Sequence, residues 1–126
     1  MKTQMEQLLD LCAAAVAATA DQRRQAEQAM DDETLHAADQ LAAKTFGEQA
    51  ADAFGEWILV DVPEPDLRQA FATIADQTHL QFTINTDGDT WFDLLSYCPR
   101  CSNFRQVRVG SLDGLGIALA DAGVLR

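Results

Sequence analysis

Met5, Leu8, Leu9, Cys12, Ala15 and Val16 recur at three- and four-residue steps, and Thr19, Ala26 and Met30 extend the series. That spacing puts a narrow, small-residue stripe on one side of a helix. A second series, Leu35, Ala38, Leu41, Ala42, Thr45 and Phe46, repeats the spacing out of phase with the first. The slip falls at Asp31-Asp32-Glu33, where either aspartate suits a helix N-cap. The pattern predicts a helical hairpin over residues 3–54, with one long stuttered helix as the alternative. In either form the alanine-rich seam permits close approach of helices.

The texture changes at Gly55. Trp57-Ile58-Leu59-Val60-Asp61-Val62 is a short β-branched run stopped by Pro63, and it reads as a strand. Leu67, Ala70, Phe71, Ile74 and Ala75 then follow at helical spacing, which predicts a helix over 65–77. Leu80–Ile84 alternates, Asp87-Gly88 suits a two-residue hairpin turn, and a second strand runs from Thr90 to Tyr97. That register sets Ile84 opposite Trp91 and Leu80 opposite Leu95. Its core face carries Leu80, Phe82, Ile84, Trp91, Leu95 and Tyr97, with Asp93 as the exception. Phe104–Val109 reads as a third hairpin strand. Ser111 is the expected N-cap of a closing helix that ends near Gly123. The expected fold is α+β: a helical, coiled-coil-like segment over 1–54, then a small domain over 55–126 with an antiparallel sheet and two helices.

Charge narrows the function classes. Twenty acidic residues against nine basic ones give a net charge of −11. That balance speaks against a general binder of nucleic acid or membrane surfaces, which needs a broad positive field. No run of about 20 apolar residues exists to span a bilayer. Leu8–Ala20 has the apolar run and the Ala18-Thr19-Ala20 site of a signal peptide, but Glu6 and Asp10 interrupt the basic and apolar regions such a peptide needs, so it reads as an amphipathic helix. The expected compartment is the cytoplasm, with thiols reduced.

One constellation carries recognisable chemistry. Cys98-Pro99-Arg100-Cys101 lies between two predicted strands, and a tight turn at this spacing lets both sulfurs reach one ion. Zinc prefers such soft ligands. Of His79, His36 and Cys12, the expected hairpin register makes His79 the third ligand, opposite Ser96 and diagonal to Cys98. A water, a carboxylate or a second subunit would complete the shell. A lone CxxC is half of a usual site, so a turn of metal-free thiols is the equal alternative, and a redox pair a lesser one. Tyr97–Cys101 superficially resembles the glutaredoxin active-site motif, but that fold needs far more chain after it. Around the turn, Arg100, Phe104, Arg105 and Arg108 form an Arg/aromatic stretch with no acidic residue between Asp93 and Asp113. It suits an acidic protein face or phosphates. The plainer alternative pairs these arginines with the chain's own carboxylates.

Other motifs dissolve on inspection. Asn85–Asp89 has the glycine of a calcium loop at the wrong offset, and no phosphate loop or nucleophile elbow occurs. From Leu80 to Leu119 the chain resembles a group of small actinobacterial and phage-borne proteins of unknown function. The resemblance is carried by Leu94-Leu95, Cys98, Cys101, Val107, Val109, Ser111-Leu112, Leu115-Gly116 and Leu119. It implies a zinc-ribbon-like half-knuckle and no activity. The expectation for function is therefore a non-enzymatic interaction or regulatory module, self-associating or bound to a protein partner. The alternatives are a nucleic-acid-associated regulator using the arginines, or an acidic DNA mimic.

Overall fold

A computed structural model describes residues 2–28, 32–55, 57–61, 67–75, 78–85, 89–98 and 100–123. The fold is α+β. Two helices, α1 (Gln4–Glu27) and α2 (Asp32–Phe54), precede β1 (Trp57–Asp61), β2 (Leu67–Ala75), β3 (Thr78–Asn85), β4 (Thr90–Cys98), β5 (Asn103–Val109) and α3 (Leu112–Ala122). The phase slip at 31–33 thus separates two helices, which pack on each other. The strands form one antiparallel meander in chain order.

The segment expected as a helix over 65–77 is strand β2. Its apolar positions fit both periods: Ala70, Ala72 and Ile74 are buried, and Phe71 and Thr73 between them are half-buried. Two hydrogen-bonding neighbours decide the matter. β2 lies between β1 and β3, whose backbone groups it satisfies on both sides. Small side chains at Ala70 and Ala72 then let α2 lie close over the sheet. Among the described residues, one helix therefore accompanies the sheet downstream of residue 55, where two were expected.

The β3–β4 hairpin also departs from expectation. Asn85 donates its N–H to the Asp89 carbonyl at 3.0 Å, and the Asp89 N–H donates to Asn85 Oδ1 at 2.9 Å. Three residues, not two, lie between that closing pair. The register moves by one: Ile84 faces Thr90, Phe82 faces Phe92, and Leu80 faces Leu94. A one-residue slip exchanges the faces of a strand. Phe92 and Leu94 therefore enter the core, and Trp91, Asp93, Leu95 and Tyr97 lie on the other side.

One hydrophobic core joins the helical segment 1–54 to the sheet. Leu8, Cys12 and Ala15 of α1, Ala42, Ala43, Phe46 and Ala50 of α2, and Leu115 and Leu119 of α3 meet rungs Ala70–Phe82–Phe92 and Ala72–Leu80–Leu94. Phe46 is its hub, with ring centroids 5.2 Å from Phe82 and 6.1 Å from Phe92. Leu41, expected on the helical seam, is exposed. Between α1 and α2 a nearly buried pair, Arg23 and Asp39, stands at 3.5 Å. Burial raises the Asp39 pKa, and the Arg23 charge opposes that shift in part. α3 is closed as its sequence predicts: Ser111 Oγ accepts from the Gly114 N–H at 3.1 Å, and Gly123 ends the helix at φ 66°, where a side chain is strained.

Candidate interaction surface

All three helices lie on one side of the sheet. α2 covers β1 to β3, α3 covers β4 and β5, and α1 packs on α2 and α3. Among the described residues, no helix covers the opposite face. Pairing across the strands builds that face from rungs: Thr83–Trp91, Phe71–Gln81–Asp93–Arg108, Thr73–His79–Leu95–Gln106 and Tyr97–Phe104. It mixes half-buried aromatic residues with polar ones, as suits a face that meets water or a partner rather than a core.

The electrostatic centre of this face is Asp93. Its side chain is 1% exposed, flanked by Gln81 and Arg108 on neighbouring strands. Arg108 donates from Nε to Oδ1 at 2.9 Å and from Nη2 to Oδ2 at 3.3 Å, a two-pronged pair. The Asp93 hydrogen bond is the main cause that raises the Arg108 pKa further. The guanidinium also stands 5.0 Å from the centroid of the Trp91 ring. Two polar atoms on the neighbouring rung, Thr83 Oγ1 and Trp91 Nε1, are buried without a hydrogen-bond partner. At the far end Phe104 is 72% exposed, its ring 5.1 Å from Tyr97.

Strand alternation separates the residues expected to form one Arg/aromatic patch. Phe104 and Arg108 lie on the uncovered face. Arg105 belongs to the opposite rung, with Ser96 and Thr78, and lines a cleft of about 400 Å³ beside Ile117 and Asp121 of α3. Arg100 is exposed in the turn after β4. With Arg108 held by Asp93 and Arg105 on the other side, these arginines form no continuous basic strip. For Arg108, pairing with the chain's own carboxylate is the outcome.

The cysteine turn is closed by the pair Cys98 and Asn103, and Ser102 within it takes a left-handed φ of 54°. Cys101 is exposed; the side chain of Cys98 lies outside the described residues, as does that of His36. The register corrects the position of His79. It faces Leu95, not Ser96, so Cys98 is three positions, about 10 Å, further along β4. The His79 ring instead lies 3.1 Å from Thr73 Oγ1 through Nδ1. Cys12 is fully buried in α1, and burial pushes its thiol up to about 12. Among the described residues no three His, Cys, Asp or Glu side chains gather where they would hold an ion.

Sequence reasoning did not single out Trp91 and Tyr97 as surface residues, because the assumed register placed both in the core. The signal was present in Arg108: a lone buried Asp93 at the centre of a strand needs a cation across the ladder. No protein-family profile, curated protein or solved structure matches the chain. Among the described residues, no helix is long and apolar enough to cross a membrane.

Proposed function

We propose that this chain is a non-enzymatic protein-interaction module that self-associates or binds a protein partner through the uncovered face and the β5 side of its sheet. The observation that carries the reading is that, among the described residues, helices cover one side of the sheet alone. Helices bury one face, while the other presents Trp91, Tyr97 and Phe104 around the Asp93–Arg108 pair. Half-buried and exposed aromatic side chains beside an arginine, over a firm, hydrogen-bonded platform, are what interfaces use as anchors. The Phe104 ring is 72% exposed and lies against that of Tyr97. Cross-linking and small-angle scattering of the full chain test the reading. Mass above the monomer, or a stoichiometric protein partner lost on Phe104→Ser, supports it. An isolated monomer that captures nothing sinks it.

The Cys98–Cys101 turn belongs to this proposal as architecture. Its support for zinc is the spacing of the two thiols, and the observed place of His79 does not add a third ligand from β3 without movement. Native mass spectrometry with and without a chelator reads the metal content and the subunit number together. One ion per two chains, lost with the dimer, is the result that ties zinc to assembly.

A further inference from the structure

We infer that two copies of this chain join edge to edge through β5, antiparallel about a two-fold axis at Gln106, to continue one sheet across both. The inference rests on the self-association proposed above and names its surface and register. β5 is a terminal strand of the sheet, bonded to β4 on one side. Most of its side chains are exposed and it contains no proline; of its two charged residues, Arg105 and Arg108, the second is held by Asp93 of its own sheet.

Its sequence, Asn-Phe-Arg-Gln-Val-Arg-Val, complements itself when reversed. Centred on Gln106, all seven residues find an opposite. Phe104 then faces Arg108 of the second copy, twice by symmetry, on the uncovered face. Arg105 faces Val107, and the two Gln106 amides face each other. Phe104 gains the aliphatic stem of Arg108, whose guanidinium stays on Asp93, on the side away from Tyr97, a favourable cross-strand contact. Neighbouring registers are worse. Centring on Arg105 opposes that arginine to its own copy, and centring between Gln106 and Val107 opposes Arg105 to Arg108. Shifts by half a step also place the helices of the two copies on opposite faces of the sheet. Only the Gln106 register keeps them together, pairs the whole strand and opposes no like charges.

The helix side agrees. The cleft under α3 has Arg105, Val107 and Val109 of the edge strand in its wall, and Ile117 beside them is 64% exposed. Strands in a sheet lie about 4.8 Å apart, and α3 sits over β4 and β5. Edge pairing therefore brings the two α3 helices to roughly 10 Å, an ordinary helix-packing distance. The two clefts, each lined by Val107, Val109 and Ile117 together with Arg105 and Asp121, then face each other.

The test uses the symmetry. Gln106 is exposed, so Gln106→Lys and Gln106→Glu leave the fold intact, which circular dichroism checks. Each places two like charges opposite each other on the axis, but only in the dimer. Sedimentation across the micromolar range should show wild type as a dimer and each variant alone weakened by about tenfold or more. An equimolar mixture of the two variants should regain the dimer, because lysine then faces glutamate. A wild-type dimer that both substitutions leave unchanged overturns the β5 pairing and leaves self-association standing. A mixture that stays monomeric overturns the Gln106 register. Wild type that is monomeric throughout overturns the pairing and self-association together.

Discussion

Phe46→Ala removes the α2 side chain that packs on Phe82 of β3 and Phe92 of β4. Phe46 is 1% exposed, so it buries nearly all of its roughly 200 Å². At about 25 cal/mol per Å² that is worth about 5 kcal/mol for the whole side chain. Alanine keeps the β-carbon but leaves a cavity beside the paired Phe82 and Phe92 rings, so the expected loss is about 3–5 kcal/mol. For 126 residues each kcal/mol corresponds to roughly 4 °C, so the midpoint should fall by about 12–20 °C. Urea unfolding followed by two probes is the assay. Far-ultraviolet circular dichroism reports mainly on the helices, and tryptophan fluorescence reports on Trp57 in β1 and Trp91 in β4. Because the core is shared, both probes should shift together with an unchanged m-value. A loss under about 1 kcal/mol, or a fluorescence transition that stays put while the helices melt early, refutes the single shared core.

Three further outcomes follow from particular contacts. Arg108→Ala strands the buried Asp93 carboxylate and should cost about 1–3 kcal/mol, whereas adding Asp93→Asn should recover part of that; chemical denaturation of the four-member cycle reads the coupling, and simple additivity would contradict the pairing. Ser111→Ala removes the α3 cap and should cost about 1 kcal/mol, and an unchanged melting midpoint counts against a capping role. Asp39 has a folded-state pKa raised above the ordinary 3.8, so its burial penalty is absent well below that value and full above the folded pKa. The stability of wild type relative to Asp39→Asn should therefore decline as pH rises through that window, and a difference that grows with pH would reverse the assignment.

Much of the architecture was legible because it depends on local chemistry. Helical periodicity marked α1 and α2, and the slip at Asp31–Glu33 marked the break between them. Ser111 and Gly123 marked both ends of α3 through their own hydrogen-bonding and backbone preferences. The CxxC turn was placed between β4 and β5 for the same reason. The candidate surface was less legible. Arg108 and Phe104 were named, but they were grouped with Arg105, which strand alternation carries to the other face.

What the chain fixes by itself is therefore the identity of its strongly periodic or capped elements, whose causes lie within a few residues. Tertiary structure decided the rest. β2 fits a helical and a strand period equally well, and the unpaired edges of β1 and β3 choose between them. The β3–β4 register turns on whether two or three residues close the loop, a difference too small for composition to express. Yet that single step sends Phe92 and Leu94 inward, turns Trp91, Asp93 and Tyr97 outward, and so determines which residues a partner meets.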